Sequence, residues 1–196
     1  MPSANAVAAR PNQRDHILDT ALRLMSERGA KGMTMRQLAT ACDLQVAAIY
    51  HYFESKDALL AAVVAERQYG SRMSDAFPID PSTSPADRLR SLFGHVWSGA
   101  LDEQAIWRLL ISEGMHGEAA VLPVGQALLD LLGPATRDWI LRFVPEIDDA
   151  DTVAQLLVGQ LLVGFVRHVF DPHADPVEIG TACVEPVVLS VFGPDA

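Results

Sequence analysis

The sequence has little cysteine, little lysine and no long run of uncharged apolar residues. Its two cysteines, Cys42 and Cys183, lie too far apart in sequence to make a metal-site spacing, and such sparse cysteine is typical of a reduced, cytoplasmic protein. The most apolar stretch, residues 152–166, carries two glutamines and ends at Arg167, which favours a buried helix over a membrane span. The N-terminal residues lack an apolar segment followed by a small-residue cleavage site, so no signal peptide is predicted.

Positive charge is also scarce, since the 196-residue chain carries a formal net charge of -10. The deficit is uneven. Residues 1–56 contain seven basic and five acidic side chains, a net charge of +2, whereas the remainder carries -12. Blocks of opposite sign suggest different partners. A charge of +2 alone indicates nucleic-acid binding only weakly. The 49% of hydrophobic residues excludes a disordered chain.

Helical periodicity dominates the chain. Residues 1–13 have no apolar period and are predicted to form a flexible arm. Apolar spacing then predicts a helix from Asp15 to Arg28, with Gly29 at the point where a helix stops. After the proline-rich residues 77–85 the pattern stays helical, and no alternating strand pattern appears. We therefore predict an all-α fold, with later helices near residues 84–101, 103–116, 120–143, 151–170 and 176–192.

Two short helices lie close together between residues 34 and 52. Thr34, with Gln37 three residues later, matches a capping box at the start of the first. The second covers residues 45–52, and Ser55 is expected to cap the helix after it. Two helices of about two turns joined by three or four residues are typical of a helix-turn-helix.

The stretch "TMRQLATACDLQVAAIYHYFESKDALL" resembles the DNA-binding module of TetR-family (tetracycline-repressor-type) transcriptional regulators. The shared features are the threonine cap, "LA" on the second helix, "IYHYF" on the third, and "SK" before an acidic residue and "LL". The resemblance implies a helix-turn-helix DNA-binding domain over residues 14–60. It implies a larger helical ligand-binding and dimerisation domain over 61–196.

This sequence departs from the family pattern at two positions. Asp43 stands where the family usually has glycine in the turn, and aspartate tolerates the left-handed backbone better than most residues. Gln45 replaces the more usual serine at the start of the recognition helix, which weakens the predicted cap. The next three side chains, Val46, Ala47 and Ala48, are small, so few groups there can hydrogen-bond to base edges.

The resemblance implies which side chains contact DNA. In a helix-turn-helix, the first residues of the second motif helix meet base edges and flanking groups hold phosphates. Arg36 is the candidate for a bidentate contact with guanine, Gln45 could read adenine, and Val46 and Ala47 could touch thymine methyl groups. The full candidate set is Thr34, Arg36, Gln45, Val46, Ala47, Tyr50, His51, Tyr52 and Lys56, with Arg10 and Arg14 on the arm.

The aromatic cluster has a second interpretation. Tyr50 and Tyr52 can offer hydroxyls to phosphates, His51 can donate from its ring, and Lys56 can hold a phosphate beside free helix amides. Aromatic residues at helical spacing are nonetheless most often core, as Phe53 is expected to be. The motif favours a local phosphate clamp in an otherwise acidic protein.

The last two helices are apolar on nearly every side, so each is expected to pack against other elements on all sides. Family members dimerise through a four-helix bundle built from these two helices of each subunit, and a two-fold dimer matches a pseudo-palindromic operator. The alternative is that both helices are central in a monomeric core. The candidate interface residues are Leu156, Gly159, Gln160, Val163, Gly164, Ile179, Cys183 and Val187.

The resemblance also implies a pocket for a small apolar or amphipathic effector within the larger domain. Large apolar side chains with Glu113 or His116 as orienting polar groups could line it. Each of these residues could equally be core. The candidate ligand-binding residues are Trp97, Trp107, Leu110, Glu113, His116 and Phe165.

Catalytic and metal sites find little support. His168 and His173 are separated by Pro172 and share no helix face. Asp148, Asp149 and Asp151 form a charged turn, which is expected to be a helix cap rather than a cation site. No cofactor is predicted. The sequence therefore predicts a cytoplasmic homodimeric repressor that an effector releases from DNA. The alternatives are an enzyme or ligand carrier with a relic N-terminal module, and a constitutive DNA-binding protein without effector.

Overall fold

The computed structural model describes residues 12–67 and 78–194, and these residues form nine α-helices and no strand. The predicted all-α class is confirmed, and the five later helices begin and end within two residues of their predicted bounds. The helices are α1 Gln13–Gly32, α2 Met35–Ala41, α3 Val46–Tyr52, α4 Lys56–Glu66, α5 Pro85–Asp102, α6 Gln104–Met115, α7 Leu122–Phe143, α8 Ala150–Phe170 and α9 Pro176–Phe192.

Contacts within the chain define two compact units. The first consists of Met1–Gln68 together with Ala105–Val124, and the second of Tyr69–Gln104 together with Gly125–Ala196. Most of α6 therefore packs in the same unit as α1 to α4. The predicted functional domains, residues 14–60 and 61–196, stay a prediction.

The core of the first unit forms where α1 packs on α4 and α2 packs on α3. The fully buried side chains include Ile17 and Leu18 of α1, Leu38 of α2, Ile49 of α3 and Leu59 of α4. Polar contacts support the same packing: Arg67, just after α4, donates from Nε to Asp19 Oδ1 of α1 over 2.6 Å. Its Nη2 donates to Asp15 Oδ1 over 3.2 Å. These contacts join the end of α4 to α1.

Gly29 breaks α1 near its end. Its backbone angles, φ 73° and ψ 156°, lie in a region that is open essentially to glycine alone. Helical structure resumes for one short turn to Gly32 before the chain enters α2. The predicted break at Gly29 is thus confirmed, and the turn beyond it was not predicted.

Trp97 of α5 is the centre of the second unit. It is 3% exposed, and its Nε1 donates to the carbonyl oxygen of Pro176 at the start of α9 over 2.7 Å. Gly164 of α8 and Gly180 of α9 lie against the indole ring, because a Cβ at either position would meet its atoms. Arg90 of α5 also donates to Glu185 of α9, with Nη2 2.6 Å from Oε1.

α8 is long and apolar enough to cross a membrane, but core helices of soluble proteins also meet these two criteria. Here α8 packs against α9 and α5 along one side. Its opposite side is exposed and mainly apolar.

Candidate nucleic-acid interface

The first helix of the motif, α2, starts at the predicted capping box. The Gln37 amide donates to Thr34 Oγ1 over 3.2 Å, and the Thr34 amide donates to Gln37 Oε1 over 2.9 Å. Two of the free amides at this helix start thereby gain a partner. The Thr34 hydroxyl is consequently part of the cap, although the residue itself is exposed.

Asp43 forms the turn between α2 and α3. It has φ 55°, the left-handed conformation expected for a residue in place of the family's glycine. The Leu44 amide donates to Ala39 O over 2.9 Å and the Asp43 amide to Thr40 O over 3.2 Å. This pair of bonds is a Schellman motif, which ends α2 and redirects the chain into α3. Gln45 makes no side-chain capping bond, as predicted.

The buried side of α3 fixes which residues point outward. Ile49 is fully buried and Phe53, as predicted, is 4% exposed. Tyr50 is 49% exposed, and the remaining candidates on this outer surface are also exposed. We call this surface the reading face; it consists of Thr34, Arg36, Gln45, Ala47, Tyr50 and His51.

The reading face carries cationic and donor groups on a rigid base. Within the described residues the guanidinium of Arg36 has no acidic side chain within ion-pair distance. It is therefore available for a carboxylate-like or base-edge acceptor, and the Tyr50 hydroxyl and the His51 ring can donate to phosphate oxygens. Such a surface fits a nucleic acid, which presents anionic phosphates and the edges of its bases.

Two predicted DNA-contacting residues, Tyr52 and Lys56, have side-chain hydrogen-bond partners inside the first unit. The Tyr52 hydroxyl donates to Gln13 Oε1 over 3.0 Å, and Lys56 Nζ donates to the carbonyl oxygens of Lys31 and Met33 over 3.3 and 3.2 Å. Both side chains and Val46 are only partly exposed. The ammonium of Lys56 thus has two of its three donors engaged by main-chain oxygens.

Arg14 lies in the first turn of α1 and not on a flexible arm, since Asn12 caps the helix by accepting from the Arg14 amide over 3.2 Å. Its guanidinium pairs with Glu66 through two hydrogen bonds, one of 2.6 Å, and lies over the Phe53 ring. The hydrogen bond from Arg14 holds the pKa of Glu66 below its ordinary value. Arg10 lies outside the described residues.

The predicted ligand-binding residues fall into both units. Trp97 and Phe165 are buried in the second, whereas Trp107, Leu110, Glu113 and His116 belong to the first. Glu113 is 3% exposed, and its Oε1 accepts from the Ala30 amide over 2.7 Å. A site that contains all six remains a prediction.

Described residues of the second unit line a larger and a smaller cavity. One of about 210 Å³ between α5 and α9 is mainly apolar and includes Trp97. The other, between α5, α7 and α8, has about 20 Å³ of free space around Thr136, which is room for about one water molecule. Trp97 is the one predicted ligand residue that lines either of these two cavities.

The predicted dimer residues divide between two sides of their helices. On α8, Leu156, Gly159 and Val163 are exposed and Gln160 is partly exposed. The others are buried in their own unit, and Gly164 faces Trp97 and Cys183. Because buried side chains offer no surface to a partner, the structure removes four residues from the predicted interface: Gly164, Ile179, Cys183 and Val187.

The exposed side of α8 and α9 is mainly apolar, although Gln155 and Arg167 of α8 and Glu178 of α9 are exposed as well. On α8 it extends over about four turns at helical spacing, with side chains 42–85% exposed: Leu156, Leu162, Val163, Val166 and Phe170. On α9 the exposed residues Ala182, Pro186 and Leu189 follow the same spacing. We call this surface the α8–α9 face.

Two contacts in the first unit escape sequence reasoning. Glu113 bonds to a residue 83 positions earlier, and Lys56 bonds to carbonyls more than 20 positions earlier. No local spacing predicts either pair. The break at Gly29 was the available signal, because a break in a buried helix leaves amides that need acceptors.

Comparison with known proteins singles out the same helix-turn-helix segment as the geometry does. The family model "Bacterial regulatory proteins, tetR family" matches residues 17–63, which include α2, α3 and the turn between them. An uncharacterized HTH-type transcriptional regulator of Xanthobacter autotrophicus is 35% identical over 41% of this chain and 43% of its own length. The regulator BetI of Rhizobium meliloti is 23% identical over 93% of this chain and 90% of its own length. The first match thus spans less than half of that relative.

Solved structures share the whole fold. A TetR-like transcriptional regulator from Rhodococcus sp. RHA1 superposes with a TM-score of 0.66 and 25% identity, covering 91% of this chain and 94% of that chain. AibR in complex with isovaleryl coenzyme A and operator DNA has a TM-score of 0.58 and 23% identity, covering 93% and 100%. The motif, the fold and the matched family model agree: residues 17–63 of this chain are similar to the tetR family of bacterial regulatory proteins, and its whole fold is similar to that of a TetR-like regulator.

Proposed function

We propose that this protein is a sequence-specific DNA-binding transcriptional repressor, which acts as a cytoplasmic homodimer and leaves its operator when a small apolar or amphipathic effector binds. The reading face carries this proposal. It places Arg36, Tyr50 and His51 on the outside of a helix-turn-helix whose opposite side is fully packed. The DNA contacts of the candidate set, including Lys56, remain part of the proposal.

Charge supports the orientation of the reading face toward DNA. Residues 1–56 carry +2, whereas the rest of the chain carries -12. An acidic remainder repels the phosphate backbone and discourages unspecific binding, so the mildly basic module is the part that approaches DNA. Arg36 would read a base edge, and Tyr50 and His51 would hold phosphates.

The homodimer rests on the α8–α9 face. Contiguous apolar side chains such as Leu162 and Phe170, 52% and 85% exposed, are costly to leave in water and mark an association surface. A second copy fits because a two-fold interface uses the same surface on both subunits, and a two-fold dimer presents two reading faces to two half-sites.

The effector is proposed from the apolar interior and from a relative. AibR is seen with isovaleryl coenzyme A, an amphipathic thioester. The cavity of about 210 Å³ in the second unit is walled mainly by apolar side chains. If effector and DNA prefer different conformations, each must weaken the other's binding by the same factor.

Recovery of genomic DNA fragments by the purified full-length protein near physiological salt tests this function. Enrichment of a pseudo-palindrome is expected for wild type and is expected to be reduced for Arg36→Ala. The matched control is Arg23→Ala, which removes the same charge from an exposed side chain of α1. An enzyme or ligand carrier with a relic module would show no enrichment. A constitutive regulator would show enrichment that no effector reverses.

A further inference from the structure

The buried carboxylate of Glu113 holds the end of α1. Glu113 is 3% exposed on α6, and within the described residues no basic side chain pairs with it. Its Oε1 accepts a hydrogen bond from the Ala30 amide over 2.7 Å, and this contact is itself buried. A buried carboxylate is costly unless it makes a favourable contact, and the hydrogen bond from the Ala30 amide is such a contact.

The backbone of Gly29 explains why the Ala30 amide donates to a side chain from another helix. Its extended, positive-φ conformation interrupts the helical backbone of α1 directly before Ala30. The Ala30 amide is buried and requires an acceptor, which Glu113 supplies from α6. A Cβ added at Gly29 would lie 3.4 Å from Glu113 Oε1, so the carboxylate rests directly against the break.

The end of α6 holds Glu113 in place. The Glu118 amide donates to the Glu113 carbonyl oxygen over 3.0 Å and the Gly117 amide to the Gly114 carbonyl oxygen over 3.0 Å. With Gly117 at φ 72°, these bonds form a Schellman motif that closes α6. Glu113 therefore projects from a fixed helix end rather than from a loop.

The segment that Glu113 holds leads directly into α2. Residues 29–33 are bonded by Glu113 from α6 and by Lys56 from α4, whose Nζ donates to the carbonyl oxygens of Lys31 and Met33. Thr34, the cap of α2, follows immediately. The position of the first motif helix thus depends on two side chains from other helices.

We infer that Glu113 is a positioning residue for DNA recognition: through the Ala30 amide, α6 sets the position of α2 and of the reading face. The DNA-binding module then includes Ala105–Val124 as well as α1 to α4. The consequence for operator affinity rests on the proposed function, whereas the hydrogen bond itself can be tested without DNA.

Substitutions in the full-length protein separate the hydrogen bond from simple packing. Glu113→Gln keeps an oxygen acceptor, and Glu113→Met keeps the length and burial but removes the acceptor. Glu118→Met is the matched control, since Glu118 lies in the same segment and takes part in the Schellman motif through its main-chain amide, which the substitution keeps. Amide exchange at Ala30, measured by NMR, and affinity for the DNA that wild type selects are the two readouts.

We expect Glu113→Met to speed exchange at Ala30 by about tenfold or more and to weaken DNA binding by about tenfold, because a buried hydrogen bond is lost. Glu113→Gln should stay within about threefold of wild type in both measurements, and Glu118→Met should match wild type. Unchanged exchange at Ala30 in Glu113→Met, or an equal loss of affinity in all three variants, would overturn the inference.

If Glu113→Met does not fold, Glu113→Gln still decides the question. Replacing the carboxylate acceptor by an amide oxygen should move the Ala30 amide proton resonance upfield, and Glu118→Gln should leave it in place. An unmoved Ala30 resonance would contradict the bond. If wild type selects no DNA, the proposed function fails, while the exchange and resonance measurements at Ala30 still test the contact.

Discussion

Gly180→Ala should destabilise the second unit, because the added methyl group has no space. Its Cβ would lie 2.6 Å from Trp97 Cδ1 and 3.0 Å from Nε1, well inside normal contact distance. The indole ring has little freedom to move, since its Nε1 bonds to Pro176 and its far edge faces Gly164, where a Cβ would already lie 3.2 Å from Cζ3.

The stability change in Gly180→Ala is the sum of two unfavourable contributions and one favourable contribution. Overpacking costs about 1–3 kcal/mol, and displacement of Trp97 would add about 1 kcal/mol for a strained hydrogen bond. Alanine in place of glycine inside a helix returns up to about 1 kcal/mol. The net loss in the free energy of unfolding should be about 1–3 kcal/mol, or about 3–10 °C in Tm.

Urea unfolding, followed by circular dichroism at one fixed protein concentration, measures this loss. The matched control is Gly99→Ala on α5, where an added Cβ meets nothing within 4 Å. Gly99→Ala should leave stability unchanged or raise it by up to about 1 kcal/mol. If Gly180→Ala is as stable as Gly99→Ala, the packing of α9 against Trp97 described above is incorrect.

Three further outcomes are expected. Leu162→Asp on the α8–α9 face should convert a dimer into monomers in light scattering, whereas Leu141→Asp, on an exposed site of α7, should leave the mass unchanged. Lys56→Ala should flatten the dependence of log Kd for DNA on log salt by about one unit, and an unchanged slope would remove the lysine from the phosphate contacts. Because Arg14 lowers the pKa of Glu66, their pairing should stabilise the fold at pH values above the ordinary carboxyl pKa, and this stabilisation should be lost as the pH falls through the lowered pKa. In Arg14→Ala, unfolding measurements at pH 3–6 should no longer show the part of the stability loss that this pair causes.

The sequence predicted those parts of the structure that local physics determines. The Thr34 capping box, the Asp43 turn and the break at Gly29 each depend on residues a few positions apart, and each appears in the structure. The resemblance to a family supplied the proposed function and the candidate DNA-contacting side of α3. The bounds of the later helices followed from glycine, proline and capping residues at their ends.

The sequence could not predict contacts across long separations. Glu113 was assigned to a ligand pocket because it is polar among apolar residues, but its partner is an amide 83 positions away. α9 is apolar on nearly every side, so periodicity could not tell its buried side, with Cys183 and Val187, from its exposed side. Arg14 was assigned to an arm because nothing local showed its pairing with Glu66.

The most direct test of the account compares affinities for a selected DNA site and for a scrambled site of equal composition, at one salt concentration. Wild type should prefer the selected site by about a thousandfold or more. Arg36→Ala should reduce that preference by about 5- to 150-fold, equivalent to about 1–3 kcal/mol, and Arg23→Ala should leave it unchanged. Equal affinity of wild type for both sites would contradict the claim that the reading face recognises sequence.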